Sequence, residues 1–117
     1  MGEYDIFTKF SSMHWEEGLR LIESILGGRW SPMILFAIEE GAERFSDIKA
    51  GIEYISDTEL QRKLNALIQS GLVIKTNPPI DTRKSEYRLT DFGGEITHTL
   101  RHILSISVKH SARTQAT

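Results

Sequence analysis

Hydrophobic residues recur at helical spacing along most of this chain and alternate near its middle. Trp15, Leu19, Ile22 and Leu26 fall at three- and four-residue steps, with Ile25 alongside, which predicts a helix with one buried face. Gly27-Gly28 is expected to stop it, because glycine accepts left-handed backbone angles. Ser31-Pro32 reads as the next start, with serine as cap and proline at the first helical position. Met33, Ile34, Leu35, Phe36 and Ile38 make that helix largely buried, and Gly41 ends it. Arg44-Phe45 reads as a short strand; Ser46 then caps a brief helix to about Ala50, closed by Gly51.

The stretch from Ile55 to Thr90 carries the clearest local signals. Ser56 and Glu59 form an S-x-x-E capping box. Leu60, Leu64, Leu67 and Ile68 then make one apolar stripe, while Thr58, Gln61, Arg62 and Asn65 fall on the opposite face. Gly71 sits where a helix C-terminus wants glycine. Leu72, Val73 and Ile74 begin a strand that Asn77-Pro78-Pro79 cannot continue. Ser85 to Leu89 return as a second strand, with Tyr87 and Leu89 on one face and Glu86 and Arg88 on the other. Thr90 caps a last helix to about Lys109, with Ile96, Leu100, Ile103, Leu104, Ile106 and Val108 giving it a broad apolar surface. Residues 1–14 are expected to form an irregular arm, 15–110 one domain and 111–117 a frayed tail.

A chain of 117 residues fits that single domain and can bury a core without staples. It contains no cysteine, which excludes disulfides, thiolate metal sites and thiol catalysis within it. No apolar run approaches the roughly 20 residues needed to span a bilayer, and no signal-peptide pattern is visible. The expectation is a cytoplasmic protein with no membrane partner. The net charge of −2 argues weakly against a polyanion, but its distribution does not. Residues 1–60 carry 5 Lys/Arg against 12 Asp/Glu, and residues 61–117 carry 9 against 4. A local basic face steers a polyanion even on a mildly acidic chain. An ordinary solvated surface with uneven statistics gives the same counts.

The polar face of the 56–70 helix can address nucleic acid. Arginine matches guanine's two acceptors, and glutamine and asparagine match adenine's donor and acceptor. The short 46–50 helix ahead of it completes a helix-turn-helix. The hairpin loop carries Asp81, Thr82, Arg83 and Lys84, a basic tip suited to phosphates or a minor groove; Lys75 and Arg88 flank it. Polar helix faces and polar hairpin tips are common, so neither feature decides alone. Their uninterrupted order points to DNA. His98 and His102 stand four apart with Glu95 one turn earlier, yet no further metal ligand and no HExxH pattern accompany them. Nucleophile-elbow, P-loop and GxGxxG spacings are absent, so no enzyme, metal or cofactor is expected. Trp15, Trp30, Phe36 and Phe45 are core aromatics or the lining of a small-molecule effector pocket.

Several motifs together resemble the HxlR-type winged-helix transcriptional regulators, a group related in shape to MarR regulators. GGRW at 27–30, RFSDI at 44–48, IS at 55–56 followed by Leu60 and Leu64, SGLV at 70–73 and EYRLTDFG at 86–93 carry the resemblance. It covers about 15–108. It implies a homodimer on a roughly palindromic operator, with the first and last helices building the interface. Two features depart from the pattern. Many members sense oxidants through a cysteine before the first helix's apolar stripe, which this chain lacks. Many also carry a lysine near the start of the recognition helix, where this chain has Thr58.

The combined expectation is an α+β, mostly helical, winged helix-turn-helix with N- and C-terminal dimerisation helices. It would act as a sequence-specific, DNA-binding transcriptional regulator. Thr58, Gln61, Arg62 and Asn65 are the expected base-reading residues, with Ser56 at the head of their helix. Ser46, Lys63, Lys75, Arg83 and Lys84 are the expected phosphate holders. Trp15, Leu19, Ile96, Leu100, Ile103 and Leu104 are the expected dimer contacts. The alternative is a winged-helix protein-interaction module that does not bind DNA.

Overall fold

The computed structural model describes residues 12–77 and 84–116. Helices α1 (Ser12–Leu26), α2 (Trp30–Glu39), α3 (Phe45–Ala50) and α4 (Asp57–Gln69) precede strands β1 (Val73–Thr76) and β2 (Glu86–Leu89), and α5 (Asp91–Ala116) follows. The strands form an antiparallel ribbon in which Val73 faces Leu89 and Thr76 faces Glu86.

Helix α2 is the hub, packing against α1, α3, α4, β2 and α5. Its Ile34 and Leu35 are fully buried, and so are Ile48 of α3, Leu60 and Leu64 of α4, and Leu72. Ile34 and Leu35 come from the run read as largely buried, Leu60 and Leu64 from the stripe read at helical spacing, and Leu72 from the apolar residues read as opening the strand; Ile48 was not singled out from the sequence. At α4 the stripe is buried as expected through Leu60, Leu64 and Leu67, with Ile68 packed at its margin.

Local capping explains where the helices stop and start. Gly41 has φ 111 and Gly71 has φ 80, left-handed values that a side chain would resist. Around Gly71, its N–H donates to the Ile68 carbonyl and the Leu72 N–H to the Leu67 carbonyl, both at 3.0 Å. This is a Schellman closure with Leu67 and Leu72 as its apolar seal. Thr90 Oγ1 accepts from the Gly93 N–H at 2.9 Å and so caps α5 as expected.

Four local expectations are corrected. Gly27 and Gly28 do not adopt left-handed angles; the Gly27 N–H instead extends the helical ladder to Glu23 O at 2.8 Å. Helix α2 begins at Trp30, its N-cap Arg29 makes no side-chain cap bond, and Ser31 is buried inside it. Pro32 fits the third helical position because its missing N–H is one of four that have no partner in any first turn. Phe45 opens α3 instead of ending a strand, and Ser46 lies within that helix rather than capping it. What remains of the expected strand is one bond, Tyr87 N–H to Glu43 O at 2.6 Å, which docks the segment against β2. Finally, α5 continues past Lys109 to Ala116.

The molecule is extended for its length. Its Cα radius of gyration is 17.1 Å, against about 13 Å for a compact domain of this size. From His102 to Ser111 every residue of α5 is exposed, so this stretch of the helix projects beyond the core.

Candidate nucleic-acid interface

The ribbon and α4 enclose an open groove. Thr58, Gln61, Arg62 and Asn65 line it from α4, Phe45 from α3, and Lys75, Ser85 and Tyr87 from the ribbon. All four expected base-reading residues therefore share one surface. They do so because the leucine stripe turns the other side of α4 inward and the Gly71 closure folds the ribbon back beside it.

The side chains on this face are already engaged with one another. Gln61 Nε2 donates to Asn65 Oδ1 at 3.1 Å, leaving the Gln61 carbonyl as an acceptor and the Asn65 amide as a donor. One acceptor and one donor is what the adenine edge complements. Arg62 Nη2 donates to both carboxylate oxygens of Glu59, to Oε1 at 2.6 Å. That hydrogen bond lowers the Glu59 carboxyl from its ordinary value; desolvation opposes it, and the charges of Arg62 and then Lys63 reinforce it. It likewise raises the Arg62 guanidinium.

The capping box forms by its serine half: the Glu59 N–H donates to Ser56 Oγ at 3.1 Å. The Glu59 carboxylate bonds Arg62, a partner the capping pattern did not suggest. Asp57 pairs with Lys49, tying the first turn of α4 to the end of α3. The acids at the head of α4 are thus both ion-paired.

The expected phosphate holders divide. Ser46 and Lys84 line one cleft together with Arg44, Phe45 and Ser85, between α3 and the start of β2. Lys75 lies in the main groove with its ammonium 5.9 Å from the centre of the Tyr87 ring. Lys63 points elsewhere: its Nζ lies 4.0 Å from where a Cβ on Gly28 would stand, beside the α1–α2 turn. Arg88, on the ribbon's outer face, lies 3.8 Å from Glu43 and 3.5 Å from Glu86. Asp81, Thr82 and Arg83 lie outside the described residues.

Arg44 was not singled out from the sequence. Its Nη1 is buried with no hydrogen-bond partner, and its Nη2 stands 3.9 Å from Glu86. A cation beside Ser46 and Lys84 is what a phosphate-facing cleft calls for, and the only signal in the sequence was a basic residue opening RFSDI. Glu59 was also missed as a partner of Arg62, although their i, i+3 spacing on one helix announces such a pair.

The expected interface residues separate by burial. Leu100 belongs to the core of the single chain at 8 % exposure, and Ile96 packs against that core. Trp15 is half-buried, whereas Leu19, Ile103 and Leu104 are exposed at 40 %, 47 % and 48 %. Ile22, Leu26, Ile106 and Val108 are also exposed, so α1 and α5 both display apolar residues. Arg101 fastens α5 to α2 by bonding Glu39, bonding Glu40 at 2.6 Å and lying 5.0 Å over the Phe36 ring. The four aromatics do not converge on one pocket. Trp15 lines a shallow hollow with Leu19 and Ile22, Phe36 lines a cleft with Met33 and Arg101, Phe45 faces the groove and Trp30 packs on the core. Among the described residues, no three side chains of metal-ligand type cluster, and no single helix is long and apolar enough to cross a membrane.

A helix-turn-helix followed by a two-stranded ribbon, with the second helix exposing a polar face beside that ribbon, defines the winged-helix class. The HxlR-like helix-turn-helix family model matches residues 25–115, and the chain belongs to that family. It is 36 % identical over 69 residues to YtfH of Escherichia coli K12, an uncharacterized HTH-type transcriptional regulator, covering 59 % of this chain and 55 % of that protein. It is 34 % identical over 79 residues to YvaP of Bacillus subtilis, also an uncharacterized HTH-type transcriptional regulator, covering 68 % of this chain and 73 % of that one. The match to YtfH thus spans little more than half of that relative. Among solved structures, the reduced form of the transcriptional regulator YodB from B. subtilis superposes with a TM-score of 0.65 at 28 % identity, over 75 % of this chain and 86 % of that chain.

Proposed function

We propose that this protein is a transcriptional regulator, not an enzyme, that binds a pseudo-palindromic operator in double-stranded DNA as a homodimer. Helix α4 enters the major groove. Thr58, Gln61, Arg62 and Asn65 meet base edges, and Ser56 lies at the helix head. Ser46, Lys75 and Lys84 meet phosphates, with Lys63 toward the α1–α2 turn and Arg83 in the ribbon's loop. The observation that carries this reading is the groove in which α4's polar face and the ribbon's Lys75 stand together.

The dimer rests on exposure. Leu19 of α1 and Ile103, Leu104, Ile106 and Val108 of α5 are apolar and at least 40 % exposed in the single chain. Large apolar residues exposed in such number on two helices are normally covered by a partner. A two-fold axis through these helices would present two copies of α4 to half-sites about one DNA turn, ~34 Å, apart. A small-molecule effector between the protomers and a cytoplasmic location are consistent with this reading.

The test is selection of duplex DNA from a random-sequence pool by the purified chain. A recovered inverted repeat, with Arg62→Ala binding it about ten- to a hundredfold more weakly while staying folded, is the expected result. In parallel, Leu104→Asp should convert a dimer to a folded monomer by sedimentation. If the selected pool shows no enrichment even at low salt, the chain is a winged-helix protein-interaction module instead.

A further inference from the structure

Arg62 is the one expected guanine reader on α4, yet it is held by an acid on its own helix. The Glu59 side chain is 20 % exposed and the Arg62 side chain 71 %. The carboxylate is therefore the settled member of the pair and the guanidinium the projecting one. Glu59 is further fixed by its place in the first turn, where its own N–H is bonded to Ser56 Oγ and where a negative charge suits the helix dipole. The contact uses Arg62 Nη2 and no other guanidinium nitrogen. Nη1 and Nε, which lie on different edges of the guanidinium, take no part in this contact.

We propose that Glu59 is a specificity-determining, positioning residue, whose carboxylate holds the Arg62 guanidinium for base-edge contact and withholds it from phosphates. The proposal rests on the DNA-reading function given above and deepens it. An unrestrained arginine on a helix facing DNA reaches any phosphate within its sweep, and such contacts carry no sequence information. Tethered at Nη2, Arg62 cannot follow the backbone without abandoning its carboxylate. A single base-edge acceptor in front of Nη1 meets the guanidinium where it already stands. This restraint weakens non-specific binding more than specific binding, and the ratio of the two is what a regulator needs.

The experiment measures four proteins: wild type, Glu59→Gln, Arg62→Ala and the double variant. Each is titrated against the selected operator duplex and a scrambled duplex of equal length over a range of salt. Glutamine keeps the shape and polarity of Glu59, and circular dichroism melts check that each variant folds. Glu59→Gln is expected to bind scrambled DNA about tenfold more tightly, with a salt slope steeper by about one phosphate contact. Its operator-to-scrambled ratio should fall by the same order. In the Arg62→Ala background the same substitution should leave that ratio unchanged, because there is no guanidinium left to position.

The outcomes separate the two claims. A wild-type protein that does not discriminate operator from scrambled duplex overturns the DNA-reading function and this inference with it. Discrimination that Arg62→Ala abolishes and Glu59→Gln leaves intact overturns the role of Glu59 alone. An equal rise in non-specific binding with and without Arg62 shows that Glu59 acts on phosphates directly, which also overturns the positioning role.

Discussion

Two adjacent glycines at the start of α5 should respond to alanine with opposite signs. A Cβ on Gly93 would stand 1.9 Å from the Leu72 carbonyl oxygen and 2.9 Å from its carbon. Both are backbone atoms, so no side-chain rotation relieves the clash. Relief requires α5 and the start of β1 to separate by about 1 Å or more, an overpacking that typically costs 1–3 kcal/mol. The same movement stretches the Thr90 N–H bond to Leu72 O, now 3.1 Å, and the Thr90 Oγ1 bond to Gly71 O, now 2.6 Å. At about 1 kcal/mol for each such bond, the total is ~3–5 kcal/mol. Gly94 has nothing within 4 Å of its added Cβ. It lies within a helix, where alanine stabilises by about 0.5–1 kcal/mol. The assay is urea unfolding followed by circular dichroism at one fixed chain concentration, with the m-value checked for constancy across variants. Gly93→Ala should lower the midpoint sharply, and Gly94→Ala should raise it slightly. A cost below about 1 kcal/mol for Gly93→Ala would refute the close approach of α5 to Leu72 and with it the way the ribbon is seated.

Two further outcomes follow from local geometry. Tyr54 is 90 % exposed and has φ 69, so it holds a left-handed conformation while burying almost nothing; Tyr54→Gly should raise stability by ~0.5–1 kcal/mol, since relieved strain of 1–2 kcal/mol exceeds the entropy glycine adds to the unfolded chain, and a lowered melting temperature would sink this reasoning. The Glu59 carboxyl is held below its ordinary value, chiefly by its bond to Arg62; because the folded value is the depressed one, its contribution to stability is fully present above the ordinary carboxylate value and is lost as pH falls through the folded value. Side-chain carbon NMR should show Glu59 ionised throughout the pH 5–8 range, and Arg62→Ala should move its titration upward; a midpoint unchanged by that substitution would contradict the assignment.

The parts of the fold that were legible from sequence are those decided locally. Gly71 marks the end of α4 because left-handed closure demands glycine there, and Ser56 marks its start because a short hydroxyl can reach the Glu59 N–H. The polar face of α4 followed from the leucine stripe. Readings that depended on tertiary packing were less secure. Phe45 has the composition of a strand residue, but the chain spends it on the first turn of α3 and keeps only the Glu43–Tyr87 backbone bond. Leu100 looks like any other apolar residue of α5, and only α5's placement against α2 shows it to be core while Leu104 is not. Lys63 sits next to Arg62 in sequence, yet the helical twist sends it toward Gly28.

The joint around Thr90 has a mechanical meaning for signalling. Its hydroxyl grips Gly71, the residue that ends α4, and its N–H grips Leu72, while the same hydroxyl oxygen receives the first turn of α5. No compliant linker separates the projecting helix from the reading helix. Val108 lies ~22 Å along α5 from Gly93 at 1.5 Å per residue, so a shift of ~4 Å at that tip corresponds to a tilt of about 10° at the joint. In the proposed dimer, a molecule lodged between the outer ends of two such helices would therefore turn the two α4 helices relative to each other without touching the groove beside them, and the stiffness of this one joint would set how faithfully the turn arrives.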